Sequence, residues 1–542
     1  MSQVSEVFVR KASGLVRVMS PYSAFAYNVL AIGILFPWLY VWATAVFPQA
    51  NVPLGIILTC ILLIPMWFTY SWLAASMPRT GGDYVFQTRI ISGPVGFFIS
   101  LFAASFATIY TPFAGWMLNT TGLAPLVGIL EYSSGAASLS NTVTFLNSPW
   151  GTIIVTLVIL VPTAILLIRG FRHYVNAQRF LWYGLLLSII AILYVTSTTS
   201  REQFIANFNA FYAWAAPEVV APGGYFQYII DAALADGVNL NPGISWIQTL
   251  GVCAIAANSL VWAMLAVNQL GEIKGANQVK NTTFMIVGSG IFSTVIMALI
   301  AYFLIKVAGN DFIHAIAYSY WTGNIAFPVP PWLATLASIA TITSPILVII
   351  ICLGIVLNAI QVFCNIYISC GRIAFAAALD GMFPNWLSEV HPKYRAPVNL
   401  YIAFIVLITI ETFLYNLWEP LSTSYLSVAA GSTLFFAVTC IAGALFPHLK
   451  KVKAIYEASP INHLKIGKIP WITITGVLGA VVNIIILVLY IGYPDLGVYN
   501  PLSVTVIICV YIFWLIYYYV RKAFLKRKGV DVELAFRQIP PD

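Results

Sequence analysis

Charge is what this chain of 542 residues has least of: Asp, Glu, Lys and Arg together make up 8% of it. Ordinary soluble domains carry about a quarter of their residues as charges, so an extended water-facing surface is excluded. The side chains that run enzyme chemistry are equally sparse. The five histidines (His173, His314, His391, His448 and His463) are read as lying in hinges, and no two are spaced to share a metal. No glycine-rich loop ends in Gly-Lys-Ser/Thr, which removes ATP hydrolysis by the usual route. The seven cysteines (Cys60, Cys253, Cys352, Cys364, Cys370, Cys440 and Cys509) fall inside apolar stretches, without zinc or disulfide spacing, and read as small core residues. Paired intramembrane His, Asp or Glu are missing. Neither an enzyme nor a metal or cofactor is expected.

The remainder is apolar, with mean hydropathy +0.89 and 60% hydrophobic residues. A helix needs about 20 mostly apolar residues to cross a bilayer core. Twelve such stretches are predicted, near 21–46, 53–77, 94–118, 150–168, 180–198, 246–270, 283–305, 345–371, 398–418, 426–446, 471–493 and 502–520. Alternating ten-residue strands for a closed barrel are absent, and an open sheet leaves backbone groups unpaired in lipid. The predicted fold class is an all-α polytopic membrane protein with 12 transmembrane helices. The first stretch is long and has no small-residue cleavage site, so it is read as a span and not as a leader.

The few basic residues set an orientation, because Lys and Arg in short loops stay in the cytoplasm. With the N-terminus inside, only Arg201 and Lys306 fall outside, and 24 of the 26 basic residues fall inside. Both termini are therefore expected in the cytoplasm, with the chain in the plasma membrane. The net charge of +8 reflects this topology and contact with anionic lipid, with no nucleic-acid partner expected. The basic run RKAFLKRK (521–528) is read as a stop-transfer flank in preference to a lipid-binding patch.

Two outer loops are predicted, 119–149 and 199–245. The second separates five spans from the next five, and two more follow. The predicted segments are a cytoplasmic N-terminus (1–20), a first five-helix repeat (21–198), an extracellular loop (199–245) and a second five-helix repeat (246–446). A cytoplasmic loop (447–470), helices 11 and 12 (471–520) and a basic tail (521–542) complete the chain. Five spans per repeat invert the second repeat relative to the first, the layout of an inverted-repeat transporter. Loop 199–245 mixes Phe204, Phe208, Phe211, Tyr212, Trp214, Tyr225, Phe226 and Tyr228 with four acidic residues. It is read as an interfacial segment with aromatics at headgroup level in preference to a lid over an outer vestibule.

Two hinges narrow the class. After the second span comes SMPRTGGDYVFQTR (76–89), where Pro78 stops the helix and Gly81-Gly82 allow a sharp turn. Arg79, Asp83 and Arg89 then lie on the cytoplasmic face, where Arg–Asp pairing would latch helices; an ordinary helix–turn–helix hinge reads equally well. After the eighth span comes RIAFAAALDGMFPNWLSEVHPKYRAPVN (372–399). Both resemble hinges of the amino acid–polyamine–organocation (APC) superfamily. The first is similar to its P-R-[ST]-G-G-x-Y segment. The second is similar to its R-x-x-[FY]-A-x-A-x-D-G-x-x-P pattern, with Arg372, Ala376, Asp380, Gly381, Pro384 and Pro397 in the matching places. SGLVR (13–17) and GEIK (271–274) agree, and the resemblance covers roughly 14–520.

The resemblance implies an amino acid permease with a leucine-transporter-like 5+5 inverted repeat plus two C-terminal helices, with helices 1 and 6 broken. It implies transport of amino acids across the plasma membrane by alternating access, with a polyamine or other organocation carrier or exchanger as the alternative and a channel behind both. In such a fold, freed amides at the breaks face the substrate carboxylate and freed carbonyls face its ammonium. The first break is placed at 31–34 (Ala31, Ile32, Gly33 and Ile34), because Gly33 lowers the cost of unwinding and Pro37, four residues on, breaks the helix. The second is placed at Asn258, Ser259, Leu260, Val261 and Trp262, counted back from Glu272, although no glycine stands there. Asn358, Gln361, Asn365 and Ser369 form a polar face on span 8, either lining the path or bonding between helices. Arg79, Gly81, Gly82, Asp83, Arg372, Asp380 and Gly381 are the expected gating hinges. Glu411 lies within span 9, and pairing near the outer headgroups is preferred there over ion coupling. Span 5 lacks the lysine of many proton-coupled relatives, so the coupling ion, H+ or Na+, stays open. The oligomeric state is open too.

Overall fold

The computed structural model describes residues 14–35, 37–418, 421–422, 425–493, 496 and 501–538. Arg10 and Lys11 of the predicted inner N-terminus lie outside the described residues. The first predicted span is two helices, α1 (Pro21–Ile32) and α2 (Pro37–Val46). Ser20 starts α1 by accepting the Ser23 amide on its hydroxyl, a favoured N-cap. Gly33 ends it in the left-handed region, at φ 67° and ψ 58°, where a side chain is strained. At 12 and 10 residues, neither half alone crosses a bilayer.

The chain continues through α3 (Val52–Ser76), α4 (Gly82–Ile90), α5 (Gly93–Ala107), α6 (Tyr110–Met117), α7 (Ala124–Ser133) and α8 (Asn141–Leu146). Next come α9 (Pro149–Ile168), α10 (Phe171–Thr198), α11 (Arg201–Ala215), α12 (Tyr225–Ala235) and α13 (Trp246–Leu260). They are followed by α14 (Val279–Thr283), α15 (Ser289–Ala308), α16 (Asn310–Thr322), α17 (Leu333–Ala340), α18 (Pro345–Leu379) and α19 (Val398–Leu417). The last are α20 (Tyr425–Leu445), α21 (Lys453–Glu457), α22 (Trp471–Gly492), α23 (Pro501–Arg527) and α24 (Val532–Phe536). Among the described residues, ten helical segments are long and apolar enough to cross a membrane, or eleven with the pair Ala430–Leu445 and Lys450–Glu457, bent by 79°. Large apolar side chains such as Phe180, Ile247 and Val488 stand on the outside, while Asn28, Gln87, Asn358, Gln361 and Asn483 are buried. This arrangement, apolar outside and polar inside, suits a lipid surround. The chain is a polytopic helical membrane protein.

Three local expectations change. The stretch 119–149 is helical at both ends: a π-helical turn (Leu118–Leu123) links α6 to α7, so one bent helix spans Gly93–Ser133. Loop 199–245 holds α11 and α12, whose aromatics are buried against protein. Phe226 stacks on Phe312 of α16 at 3.9 Å, and Tyr212 OH donates to the Val329 carbonyl at 2.7 Å. The segment packs as a cover over α16 and α17, and its large aromatic faces find each other before they find lipid. Helix 6, expected to be broken, is not unwound. At Val261 (φ −60°, ψ −23°) α13 passes into a 3₁₀ helix running to Asn268. Residues 258–262 contain neither Gly nor Pro, so nothing forces the chain out of helical geometry. Side chains supplement the altered ladder: Asn28 Oδ1 accepts the Ala266 amide at 2.8 Å, and Ser289 Oγ donates to the Ala263 carbonyl at 3.2 Å.

Candidate substrate site and its closure

The end of α1, the α13 to 3₁₀ junction, α6 and the middle of α18 enclose a cavity of about 60 Å³, a few water volumes in size. Ala31, Ile32, Asn258, Ser259, Trp262 and Asn365 line it, with Ser369 and Cys370 at one end. Both predicted breaks therefore contribute, although they are far apart in sequence. Gly33, Ile34, Leu260 and Val261 do not line it. Gly33 supplies the turn, and the Ile34 carbonyl is taken by the Tyr40 hydroxyl. Sequence reasoning missed the wall from span 3, Tyr110, Phe113 and Ala114. Their only signal was an aromatic-rich helix, which reads as core.

Polar groups are few and specifically placed. Asn365 Oδ1 accepts from Gln361 Nε2 at 2.6 Å, while its Nδ2 makes no hydrogen bond among the described residues. Asn258, also on the wall, is buried. A buried donor left without a partner costs free energy, and Asn365 Nδ2 is such a donor at the cavity wall. No acidic or basic side chain lines this cavity. The rest of the α18 stripe ties helices together. Asn358 Nδ2 donates to the Leu30 carbonyl at 2.9 Å beside the break, and Gln361 Nε2 reaches Tyr174 OH at 2.5 Å. Ser369 Oγ and Tyr27 OH, 2.9 Å apart, both meet Gln269 Nε2.

Two smaller cavities continue the first. One shares Ala114 and Val362 with it and extends to Leu35 and Asn358. The other shares Trp262, Leu265, Ser369 and Cys370 and extends to Asp83, Asn268 and Ser432. Trp262 thus stands between two chambers, edge-on to Tyr110 and to Phe436 at 5.6 Å each. Asp83 Oδ1 accepts from Tyr70 OH at 2.6 Å and Thr439 Oγ1 at 2.8 Å. Burial pushes the Asp83 carboxyl up, against those two bonds, to about 6.

Beyond that chamber the chain is knitted shut. The Val18 and Met19 amides donate to the Glu272 carbonyl, the Lys274 amide to the Met19 carbonyl, and the Gly81 amide to the Asn268 carbonyl, all within 3.0 Å. Gly81 (φ 95°) and Gly82 (φ 27°) do more than turn: a Cβ on them would lie 2.4 Å from Ala376 Cβ and 2.5 Å from the Val267 carbonyl oxygen. Two buried ion pairs flank this seam. Arg372 grips Glu272 through Nε at 2.6 Å and Nη2 at 2.9 Å, and its Nη1 donates to Tyr401 OH. Arg89 grips Asp380 at 2.7 and 3.0 Å, and Tyr84 OH donates to the same carboxylate. The carboxylate partners are thus Glu272 and Asp380, each taken by an arginine from a distant segment, whereas Asp83 bonds to hydroxyls. Arg79 Nη1 donates to the Pro78 carbonyl. At Gly381 the carbonyl accepts from Arg521 at 3.0 and 3.1 Å.

Glu411 makes no ion pair near the outer headgroups among the described residues; one of its carboxylate oxygens is buried. It turns inward from α19, and its Oε1 meets Thr108 Oγ1 at 2.8 Å.

No curated protein matches the chain. A family model described as amino acid permease matches residues 20–514, nearly its whole length. With an apolar exterior, a mid-span cavity at a broken helix and that match, the chain belongs to the amino acid permease family of the APC superfamily and is a multi-pass membrane transporter.

Proposed function

We propose that this protein is a secondary active transporter of neutral, apolar amino acids in the plasma membrane, working by alternating access. Its twelve spans would form two inverted five-helix repeats plus two helices, with both termini cytoplasmic. The observation that carries the substrate reading is the cavity itself: the side chain of Asn258 and the unbonded Nδ2 of Asn365, in a largely apolar chamber with no charged side chain on its walls. Side-chain amides offer both donor and acceptor to a zwitterion. The carbonyl end of α1 supplies partial negative charge for the ammonium. Ile32, Phe113, Leu265, Val362 and Ile366 would take the substrate side chain. A polyamine finds no carboxylate on these walls, which disfavours the organocation alternative. Trp262 and the knitted seam beyond it would be the inner barrier, with the Arg372–Glu272 and Arg89–Asp380 pairs as latches that open in transport.

The test is counterflow in proteoliposomes across a panel of labelled L-amino acids. Saturable exchange confined to apolar members supports the reading. Exchange of putrescine but of no amino acid would overturn it, and unitary currents would mean a pore.

A further inference from the structure

Glu411 sits about two-thirds of the way along α19, with no ion pair among the described residues. Its Oε2 is buried and makes no hydrogen bond there, and its Oε1 meets Thr108 Oγ1 at 2.8 Å. Thr108 Oγ1 also lies 2.6 Å from the Ser105 carbonyl oxygen. A hydroxyl has one proton to donate, and a carbonyl only accepts. If Glu411 is ionised, both neighbours of Thr108 are acceptors, and one contact has no proton in it. If Glu411 carries a proton, the chain closes: Glu411 donates to Thr108, and Thr108 donates to Ser105. The two contacts are satisfied together only in the protonated state.

The place of this switch gives it a consequence. Thr108 lies in the interruption of span 3, between the end of α5 at Ala107 and the start of α6 at Tyr110. Ser105 is in the last turn of α5, and its own Oγ accepts Trp514 Nε1 at 2.8 Å. Tyr110, Phe113 and Ala114, directly after the interruption, form one wall of the substrate cavity. Loss of the proton from Glu411 turns the Thr108 hydroxyl to the carboxylate and releases the Ser105 carbonyl, which loosens the joint that aims this wall. Cys370, on α18, which packs against α19, lines the same cavity. Among the described residues, no cation pairs with the group. Of the elements packed on α19, α9 has no titratable residue, α6 has only Tyr110, and α18 presents Cys370 and Tyr367. Arg372, further along α18, is held by Glu272 and Tyr401. On α19 itself Tyr401 and Tyr415 are the other titratable groups.

We propose that Glu411 is the proton-carrying group of this transporter, so that substrate moves together with a proton, and that Thr108 reports its protonation state to the cavity wall through the joint in span 3. The proton binds to a carboxylate oxygen on one side of the membrane and leaves from it on the other, with no other co-reactant. By linkage, protonation and substrate binding then favour each other. The coupling rests on the amino acid reading only for its choice of probe.

Two measurements test it. In proteoliposomes with an inwardly directed proton gradient and a labelled mixture of L-amino acids, the wild type should accumulate label and lose it with a protonophore. Glu411→Gln, whose amide mimics the protonated acid, should retain counterflow and lose accumulation. Thr108→Val, which keeps the acid and removes the relay, should lose part of the accumulation at unchanged counterflow. Separately, infrared difference spectra between acid and alkaline buffer should show a carboxylic C=O band in the wild type and Thr108→Val that is missing from Glu411→Gln. Accumulation by Glu411→Gln equal to the wild type, or an unchanged band in it, overturns the proposal. If Glu411→Gln does not fold, Thr108→Val decides, and undiminished accumulation there overturns it. If no amino acid exchanges in any variant, the substrate reading fails, while the infrared comparison still decides the proton site.

Discussion

Asn365 holds its carbonyl against Gln361 at 2.6 Å and leaves its amide nitrogen unbonded at the cavity, which orients one donor toward any ligand. Replacing either Asn365 or Asn258 by Leu removes one neutral hydrogen bond, on the order of 1 kcal/mol or about fivefold in affinity. Equilibrium binding on purified variants checks this, and unchanged affinity in both would take the amides out of recognition. Asp83 makes a different prediction. Its carboxyl titrates near 6 in the fold against an ordinary 3.8, so between those values the folded state binds the proton more tightly than the unfolded one. Stability should therefore fall as pH rises through that window, by up to about 3 kcal/mol, and level off above it. Asp83→Asn cannot titrate. Its melting temperature in detergent should change less between about pH 5 and about pH 7 than that of the wild type, and an equal change would contradict the assignment.

At the scale of the element, the break in span 1 was legible because its causes are local: Gly33 tolerates the left-handed turn, and Pro37 removes an amide from the helix. Gly33→Leu strains that turn and favours helix through it, so binding should suffer most there, more than in Asn258→Leu. Pro37→Ala should be the mildest of the three, and titrations of the same ligand rank them. Span 6 was less legible, since its change to 3₁₀ geometry depends on Asn28 and Ser289, side chains from two other helices. The two hinge motifs held Arg89, Arg372 and Asp380 but suggested pairing among Arg79, Asp83 and Arg89, and they did not contain Glu272, the partner of Arg372. Arg372 and Glu272 are 100 residues apart, and Arg89 and Asp380 are 291 apart. Because both pairs are buried, losing one partner leaves an uncompensated charge. Glu272→Gln or Arg372→Met alone should destabilise by roughly 3–5 kcal/mol, and the double variant should regain much of that. Thermal unfolding of the three proteins checks it; a double variant as unstable as the sum of the singles would contradict it.

For the whole molecule, ten or eleven helices long and apolar enough to cross a membrane accord with a polytopic chain, while twelve spans with both termini inside are the proposal that apolar length and the placement of 24 of 26 basic residues motivate. The fold class was legible for the same reason: a chain with 8% charge can satisfy its backbone only as helices in lipid. The packing of α11 and α12 over α16 was not, because aromatic side chains serve equally at headgroups and in a core. A cysteine at Asn239 should react with an impermeant thiol reagent added outside sealed cells, and one at Lys451 should not. The central claim, that a zwitterionic apolar amino acid crosses through the chamber between Ala31, Asn258 and Asn365, is tested most directly by counterflow of labelled L-amino acids in the wild type and in Ala114→Trp, whose indole would fill the chamber. The wild type should exchange apolar amino acids with saturation, and Ala114→Trp, folded and correctly inserted, should not. Undiminished exchange with the chamber filled would contradict the account.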